Sequence, residues 1–526
     1  MSQSAGYFLV KNSMDLTKLL FLTIYSFFFS LIITFSILIF FKHNKDSVEI
    51  INISHKKKIN IMMFFVLVTC WLPTLFAYYP GIWSYDVGTQ INQLLTDSVS
   101  KYQPIIHTML VSGVLWLSNF LKSYEKAIFV YSFLQLIILA CSFVALNNFL
   151  LKKFKLKKYV IAIVLIFQCL MPFNSIMAIS STKDTLFSAL TVLMIINIYE
   201  FLEVKDGNSW KWYNYLYFGG ITALWISFRN NALFVILPLV LISFVLFRKN
   251  LRKIMICFAT TLVVVLGFNF LLDSFIKPQT YSSVEILSVP INQISKTMLN
   301  DDIKLTPNSK RTFDSIFGDS YKNYNPHLSD PVKSKLNFKV SDMGSFVSLW
   351  IELLPKYFND YVTTFLNLNR GSWYLFDESY ARIYIDKYYE GVLIENDLGD
   401  KQQGYLQTSL EQIIPVEYDS KIPGLFSFYE NIVSKNQFMN NIFLKILFSP
   451  ALYVWIMIAS VFMSFYRKNN IFKIVTLLPF LYWLTTLLGP CTLVRYIYPI
   501  IIMLPLYLCI LTCEIRKEGE ISGKEN

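Results

Sequence analysis

The chain has 526 residues, of which 54% are hydrophobic, 17% aromatic and 16% charged, with a mean hydropathy of +0.46. Soluble domains carry about 25% charged residues, so this balance excludes a soluble globule, a disordered chain and a collagen-like chain. What it predicts is an all-α polytopic membrane protein, and the net charge of +12 has to be read in that setting.

Apolar runs that reach or approach the about 20 residues of a membrane-crossing helix lie at 19–41, 59–78, 127–151, 159–179, 185–202, 214–228, 232–247, 254–273, 441–465, 471–488 and 491–513. They predict about eleven transmembrane helices. The first, 19–41, is too long for a signal-peptide core and reads as a retained helix. The apolar segment 107–121 is short for a span and is expected on, or partly inserted into, the outer face.

Charge orients these helices. Residues 274–440 form the long polar stretch, with 16 basic and 20 acidic residues, a balance of −4. The rest of the chain then holds 47 − 16 = 31 basic and 35 − 20 = 15 acidic residues, or +16. This excess sits in short loops such as 42–58, 152–158, 248–253 and 466–473, which places them in the cytoplasm and 274–440 outside. Such a pattern is no nucleic-acid footprint. Three parts follow: an N-terminal helical part, 1–273; an external cap of mixed structure, 274–440; and C-terminal helices with a cytoplasmic tail, 441–526. Within the cap, 344–369 reads as an amphipathic helix interrupted at Pro355 and lying on the membrane. The seven cysteines show no CxxC or Cys/His spacing, so neither a zinc site nor a disulfide framework is indicated.

A few polar residues are not explained by apolar packing, and all fall on the side predicted to be external. Asp86 follows the first Pro-Gly turn (Tyr79-Pro80-Gly81), with Gln90 one helical turn on. A carboxylate in a half-dry niche suits a general base; equally, an Asp before an apolar-periodic stretch caps a helix. His107 opens the short helix after Gln103-Pro104, either as part of a site or as an interfacial His bonded to backbone. Lys183-Asp184 stands between two spans, as a site pair or a neutralised interfacial one. Arg229, in Arg229-Asn230-Asn231, suits a phosphate or snorkels to lipid headgroups. Arg495, followed by Tyr496, breaks the positive-inside trend. Together they describe a site for an anionic substrate embedded in the membrane.

The run Tyr79-Pro80-Gly81 to Asp86 and Gln90, followed by Pro104 and His107, resembles the first external loop of polytopic GT-C glycosyltransferases, which use polyprenyl-phosphate sugars. Lys183-Asp184 resembles the second acidic position of that fold. Arg229-Asn230-Asn231, Pro290-Ile291-Asn292-Gln293-Ile294 and Arg495-Tyr496-Ile497-Tyr498-Pro499 are similar to elements of a less-characterised bacterial group in that superfamily. The resemblance implies a GT-C-like fold and an inverting transferase. Asp86 would be its base; Arg495, Arg229 and Lys183 would hold the donor phosphate. His107, Asp184, Gln90 and Tyr496 would support them, and Trp373 and Tyr374 in the cap would stack on the acceptor, a cell-surface glycan or teichoic acid-like polymer. No cofactor is implied beyond a divalent cation, which a single loop acid, where many relatives carry a pair, leaves open. Other classes that fit are a lipid-linked glycan transporter or flippase, an envelope-glycan polymerase and a scaffold. A transporter would carry charges in mid-span, and a polymerase would have an Arg-rich external loop; residues 274–440 hold three Arg.

Overall fold

The structure is a computed structural model that describes residues 56–513, apart from 84, 102, 157, 205–209, 277–282, 301–302, 378–415, 417–418, 430 and 432–439. The predicted helix 19–41 lies outside the described residues. Among those described the protein is all-helical and no strand forms.

The chain starts with α1 (Lys56–Ala77), a short α2 (Tyr85–Leu95), α3 (Ile105–Leu121) and the long α4 (Tyr124–Lys153). Lys122, in the left-handed region, ends α3, and Ser123 caps α4 by accepting from the Lys126 amide. Two residues thus reverse the chain with its helix-end groups satisfied. The 17-residue α3 packs on α4 and leaves Trp116 and Phe120 exposed on an apolar face.

Next come α5 (Lys158–Leu170) and α6 (Pro172–Ile179), then α7 (Lys183–Glu203), α8 (Trp212–Phe228), α9 (Ala232–Leu246) and α10 (Leu251–Ile276). After the cap, α17 (Ile442–Leu447), α18 (Pro450–Tyr466), α19 (Asn470–Thr486), α20 (Val494–Ile501) and α21 (Leu504–Thr512) complete the bundle. Two of the predicted runs are not straight. The run 159–179 bends by 55° between α5 and α6, and 491–513 by 42° between α20 and α21. A proline begins or nearly begins the second piece each time (Pro172, Pro505), which fits its fixed φ and missing N–H. The described residues hold four helices long and apolar enough to cross a membrane, or six with each bent pair as one span. Helices α9, α18 and α19 are apolar but have 15 to 17 residues, at most about 25 Å of rise against about 30 Å of hydrocarbon. Outward-facing Phe65, Leu170, Val263, Phe270 and Phe462 form part of a large apolar exterior, as suits helices able to cross a membrane.

Contacts sort the helix ends into two groups. At one end Lys153 pairs with Glu203, Lys253 donates to the carbonyls of Phe201 and Val204, Asn470 to that of Leu246, and Arg467 to that of Cys513. Phe472 packs at a tilt against both Phe154 and Tyr199 there, so the basic loops 152–158, 248–253 and 466–473 lie at one end, while 42–55 of the fourth lies outside the described residues. At the other end lie Asp86, Lys183, Asp184, Arg229 and Arg495, together with the exposed pair Lys101–Asp273.

Above that second end sits the cap, built from α11 (Ser288–Thr297), α12 (Pro307–Ile316), α13 (Asp330–Lys333), α14 (Met343–Leu353), α15 (Phe358–Leu368) and α16 (Pro423–Tyr429). The predicted mixed cap is corrected: its described part is helical. Among its helices α12 is capped, Thr306 accepting from the Ser309 amide at its start. The amphipathic segment 344–369 does break around Pro355, into α14 and α15. Its apolar side chains Phe346, Leu349, Leu353 and Tyr361 pack into a core of the cap itself, with Ile291 and Ile294. Each such burial is worth about 1.5–3 kcal/mol, which is why this face turns inward. Gln293 accepts from Trp350 Nε1 at 2.8 Å and donates to the Tyr361 carbonyl at 3.0 Å, so Pro290–Ile294 serves the cap core. The cap is pinned to the bundle by Ser329 N–H to Pro490 O (3.0 Å), Asn369 to Leu487 O (3.0 Å) and Trp455 to Trp373 O (2.8 Å).

Candidate functional site

The first loop is stitched to the α6–α7 turn. Ile82 donates to Ile179 O and accepts from Ser181 N–H, at 3.0 and 2.8 Å. Gln135, from α4, donates to the carbonyls of Met177, Ala178 and Ser180 and fixes the same turn. Gly81 makes this approach possible: its φ is +136°, and a Cβ there would stand 2.1 Å from Ser132 Oγ. The stitch sets Asp86 beside Lys183.

Asp86 lies within the first turn of α2, not ahead of it as a cap, where the helix dipole favours an anion. Its Oδ2 faces Lys183 Nζ at 3.2 Å and Arg495 Nη1 at 3.1 Å, and its Oδ1 accepts from Gln103 Nε2 at 3.2 Å. Lys183 also donates to Gln103 Oε1 at 2.5 Å, closing a ring of three side chains. Burial alone would raise the pKa of Asp86, but Lys183 and Arg495 outweigh it and hold the carboxyl well below the usual range.

A second layer lies deeper. Asp184 Oδ1 is 3.1 Å from Arg229 Nη1, and its Oδ2 is 3.9 Å from Arg495 Nε. Arg229 also donates to the Tyr482 hydroxyl, which in turn donates to Tyr496 O. The Tyr496 ring sits under both guanidinium groups, 4.6 Å from Arg229 and 5.1 Å from Arg495. Asp184 is fully buried, while Asp86 and Lys183 side chains are 14% and 15% exposed, so the site opens at Asp86 and Lys183. With three cations and two carboxylates the cluster carries 3 − 2 = +1.

His107 and Gln90 lie behind Asp86. Gln90 Oε1 only accepts, so the 2.9 Å contact makes His107 Nδ1 the donor, and Gln90 Nε2 donates to Thr108 Oγ1 at 2.9 Å. His107 Nε2 then accepts from Tyr131 OH. The ring is thereby held neutral and oriented. Burial, and next Lys183, lower its pKa to about 4 against the pull of Asp86. Its folded pKa lies below the unfolded 6.5, so unfolded chains bind the extra proton in between. The His107 contribution to stability should therefore fall by about 3 kcal/mol as pH drops from about 6.5 towards 4, and the carboxyl of Asp86, held below its ordinary value, adds a further loss below that window. Melting midpoints in detergent across that window check it; His107→Gln should flatten the profile, and an unchanged slope would show that His107 does not set it.

Trp373 and Tyr374 follow α15. Trp373 is half-buried and donates to Leu366 O at 3.2 Å; Tyr374 is buried. Nearby is a cluster that sequence reading missed. Arg370 pairs with buried Asp377 at 2.7 Å and donates through Nη2 to His327 Nε2 at 3.2 Å. Arg370 and Asp377 are seven residues apart, but His327 lies 43 residues away, and nothing local predicts its arrival. Gln103 and Tyr482 were likewise missed, being ordinary polar residues until the fold aims them. Among the described residues no three His, Cys, Asp or Glu side chains gather as a metal would need. The two acids of the site face cations instead.

Fold and site define an all-helical protein with helices able to span a membrane and a buried, net-positive ion cluster at one end. Residues 96–524 match the family of unknown function DUF6020, and the chain belongs to that family. The match includes Lys183, Asp184, Arg229 and Arg495, and begins ten residues after Asp86. No curated protein and no solved structure matches the chain.

Proposed function

We propose that the protein is a multi-pass cell-membrane glycosyltransferase of GT-C type, transferring a sugar from a polyprenyl-phosphate donor to a cell-surface glycan or teichoic acid-like acceptor. The observation that carries this reading is the +1 cluster, half-open at the helix end beneath the cap. Such a place suits a lipid phosphate that arrives sideways from the membrane, its tail on the apolar exterior. On this reading the shorter apolar helices cross as well, giving about eleven spans with 19–41 included. The end rich in Lys and Arg faces the cytoplasm, and 274–440 faces outside.

Asp86 takes the proton of an acceptor hydroxyl, whose oxygen attacks the anomeric carbon as the bond to the phosphate oxygen breaks. The phosphate leaves with the electron pair, and Lys183 and Arg495 neutralise it. A single displacement inverts the anomeric centre. Arg229, closed in by Asp184, Tyr482 and Tyr496, positions Arg495 in this scheme and does not touch the phosphate. The half-buried Trp373 belongs to the acceptor side, and the buried Tyr374 supports it. Among the described residues the ion pairs of the bundle lie at its two ends, which favours an enzyme over a transporter with a charged path.

Purified protein given a polyprenyl-phosphate sugar and glycan acceptors should bind the donor and release polyprenyl phosphate. Arg495→Ala should weaken donor binding severely, and Arg495→Lys should restore only part. The Arg fork reaches Asp86 and Asp184 at once, whereas an ammonium is a single point charge. Full rescue by Lys would overturn the role given to the fork, and silent Ala would remove Arg495 from the phosphate site.

A further inference from the structure

Asp86 is the part of the site whose resting geometry conflicts with its proposed task. A base needs a free lone pair of adequate basicity, yet Lys183 and Arg495 both converge on one oxygen of this carboxylate, at 3.2 and 3.1 Å. Those are the two cations assigned to the phosphate. Asp86 occupies the side of both cations that a phosphate would take, and the exposed side of the cluster, where a ligand arrives, is where Asp86 sits.

We propose that Asp86 is an internal stand-in for the phosphate: a phosphodiester headgroup displaces its carboxylate from Lys183 and Arg495, and this displacement arms Asp86 as a base. The inference rests on the headgroup reading given above and adds regulation to it. Carboxylate and phosphodiester are both single negative charges with oxygen acceptors; with Asp86 retained the ligand takes the cluster from +1 to 0, and proton uptake by Asp86 returns it to +1. The deep layer stays in place, because Asp184 and the Tyr496 ring hold Arg495 from behind. Gln103 keeps its own hydrogen bond to Asp86 Oδ1, which retains the displaced carboxylate at the site.

The groups facing Asp86 are Lys183 and Asp184 from α7, Arg495 and Tyr496 from α20, His107 from α3 and Gln103 from the connector, with Arg229 behind. Lys183 and then Arg495 hold the pKa of Asp86 down, with His107 adding least. Once they turn to the ligand, burial and the ligand's own charge act in the other direction, and Asp86 becomes the stronger base. The site would then accept a proton only when donor is present. In the resting protein the base is silent, which protects an activated sugar site from idle proton transfer.

The experiment uses full-length protein in detergent and farnesyl methyl phosphodiester, whose phosphate does not titrate between pH 5 and 7. Asp86→Asn removes the internal competitor and should bind the diester about tenfold more tightly than wild type. Wild type should take up protons on binding near pH 5.5, seen by calorimetry in two buffers of different ionisation enthalpy, and Asp86→Asn should not. The proton measurement on wild type stands even if the variant folds poorly. If wild type binds, and Lys183→Gln weakens it, but Asp86→Asn binds no more tightly and no proton is taken up, the displacement is wrong and the headgroup reading survives. If neither wild type nor Asp86→Asn binds the diester, the headgroup reading falls and the inference with it.

Discussion

Asp86→Asn should reduce sugar transfer by at least about a hundredfold, the lower range of what a general base contributes. It should also lower the melting midpoint, because Lys183 and Arg495 lose their shared anion and the cluster rises from +1 to +2, so transfer is compared at a temperature where both proteins are folded. Asn keeps the size of the side chain, but it has one amide oxygen where Asp86 uses two: placed at Oδ2 it still accepts from Arg495, while its Nδ2 then faces Gln103 Nε2 and that hydrogen bond is lost. What disappears is the basic carboxylate. A helix-capping Asp would behave otherwise, since Asn caps nearly as well, and the position of Asp86 inside the first turn of α2 already argues against a cap. The two measurements to be set side by side are single-turnover transfer and equilibrium donor binding. Slow transfer with undiminished binding is the expected pair; transfer within a few-fold of wild type would remove Asp86 as base and turn attention to a non-catalytic headgroup site.

The second large effect concerns stability. Asp184 is fully buried and faces Arg229 at 3.1 Å and Arg495 at 3.9 Å. Asp184→Ala leaves Arg229 and Arg495 without their shared anion and raises the local charge from +1 to +2 with Asp86 retained. Removing one partner of a buried pair costs about 3–5 kcal/mol, far more than a surface pair is worth. The unfolding midpoint of Asp184→Ala in detergent or denaturant should drop accordingly. Adding Arg229→Met should recover much of the loss, because the cluster returns to +1 and Met fills the space between Phe187, Tyr482 and Tyr496 apolarly. If the double variant were less stable than Asp184→Ala alone, charge balance would not be what holds this layer together.

Much of this protein is legible in its composition and charge. Runs of apolar residues locate the long helices α1, α4, α7 and α10, because a chain in lipid must satisfy its backbone within each segment. Lys and Arg placement groups the loops that meet around Phe472. Even the five charged residues of the site stand out, since a charge beside an apolar run is costly and needs a reason. Period and composition do not reveal bends. The run 159–179 reads as one span, and only the packing of α6 against α1 and α4 shows where it turns after Met171. The cap reads as mixed because polar stretches with Pro and Asn carry weak periodicity, whereas its helices are decided by a shared core of Phe346, Leu349 and Tyr361.

By itself, then, the sequence determined the apolar helices able to cross a membrane, the common end of the charged site residues, and their kinds of charge. Tertiary structure alone decided who pairs with whom. Asp86 and Arg495 are 409 residues apart, and their contact depends on Gly81 admitting the first loop against Ser132, on Gln135 holding the α6–α7 turn, and on α20 packing along α7. Ion pairing falls off within a few ångströms, while sequence fixes charge only to a helix end. That difference in scale is why the cluster's members could be read from the chain, but its two layers, its open side at Asp86 and Lys183, and the enclosure of Arg229 could not.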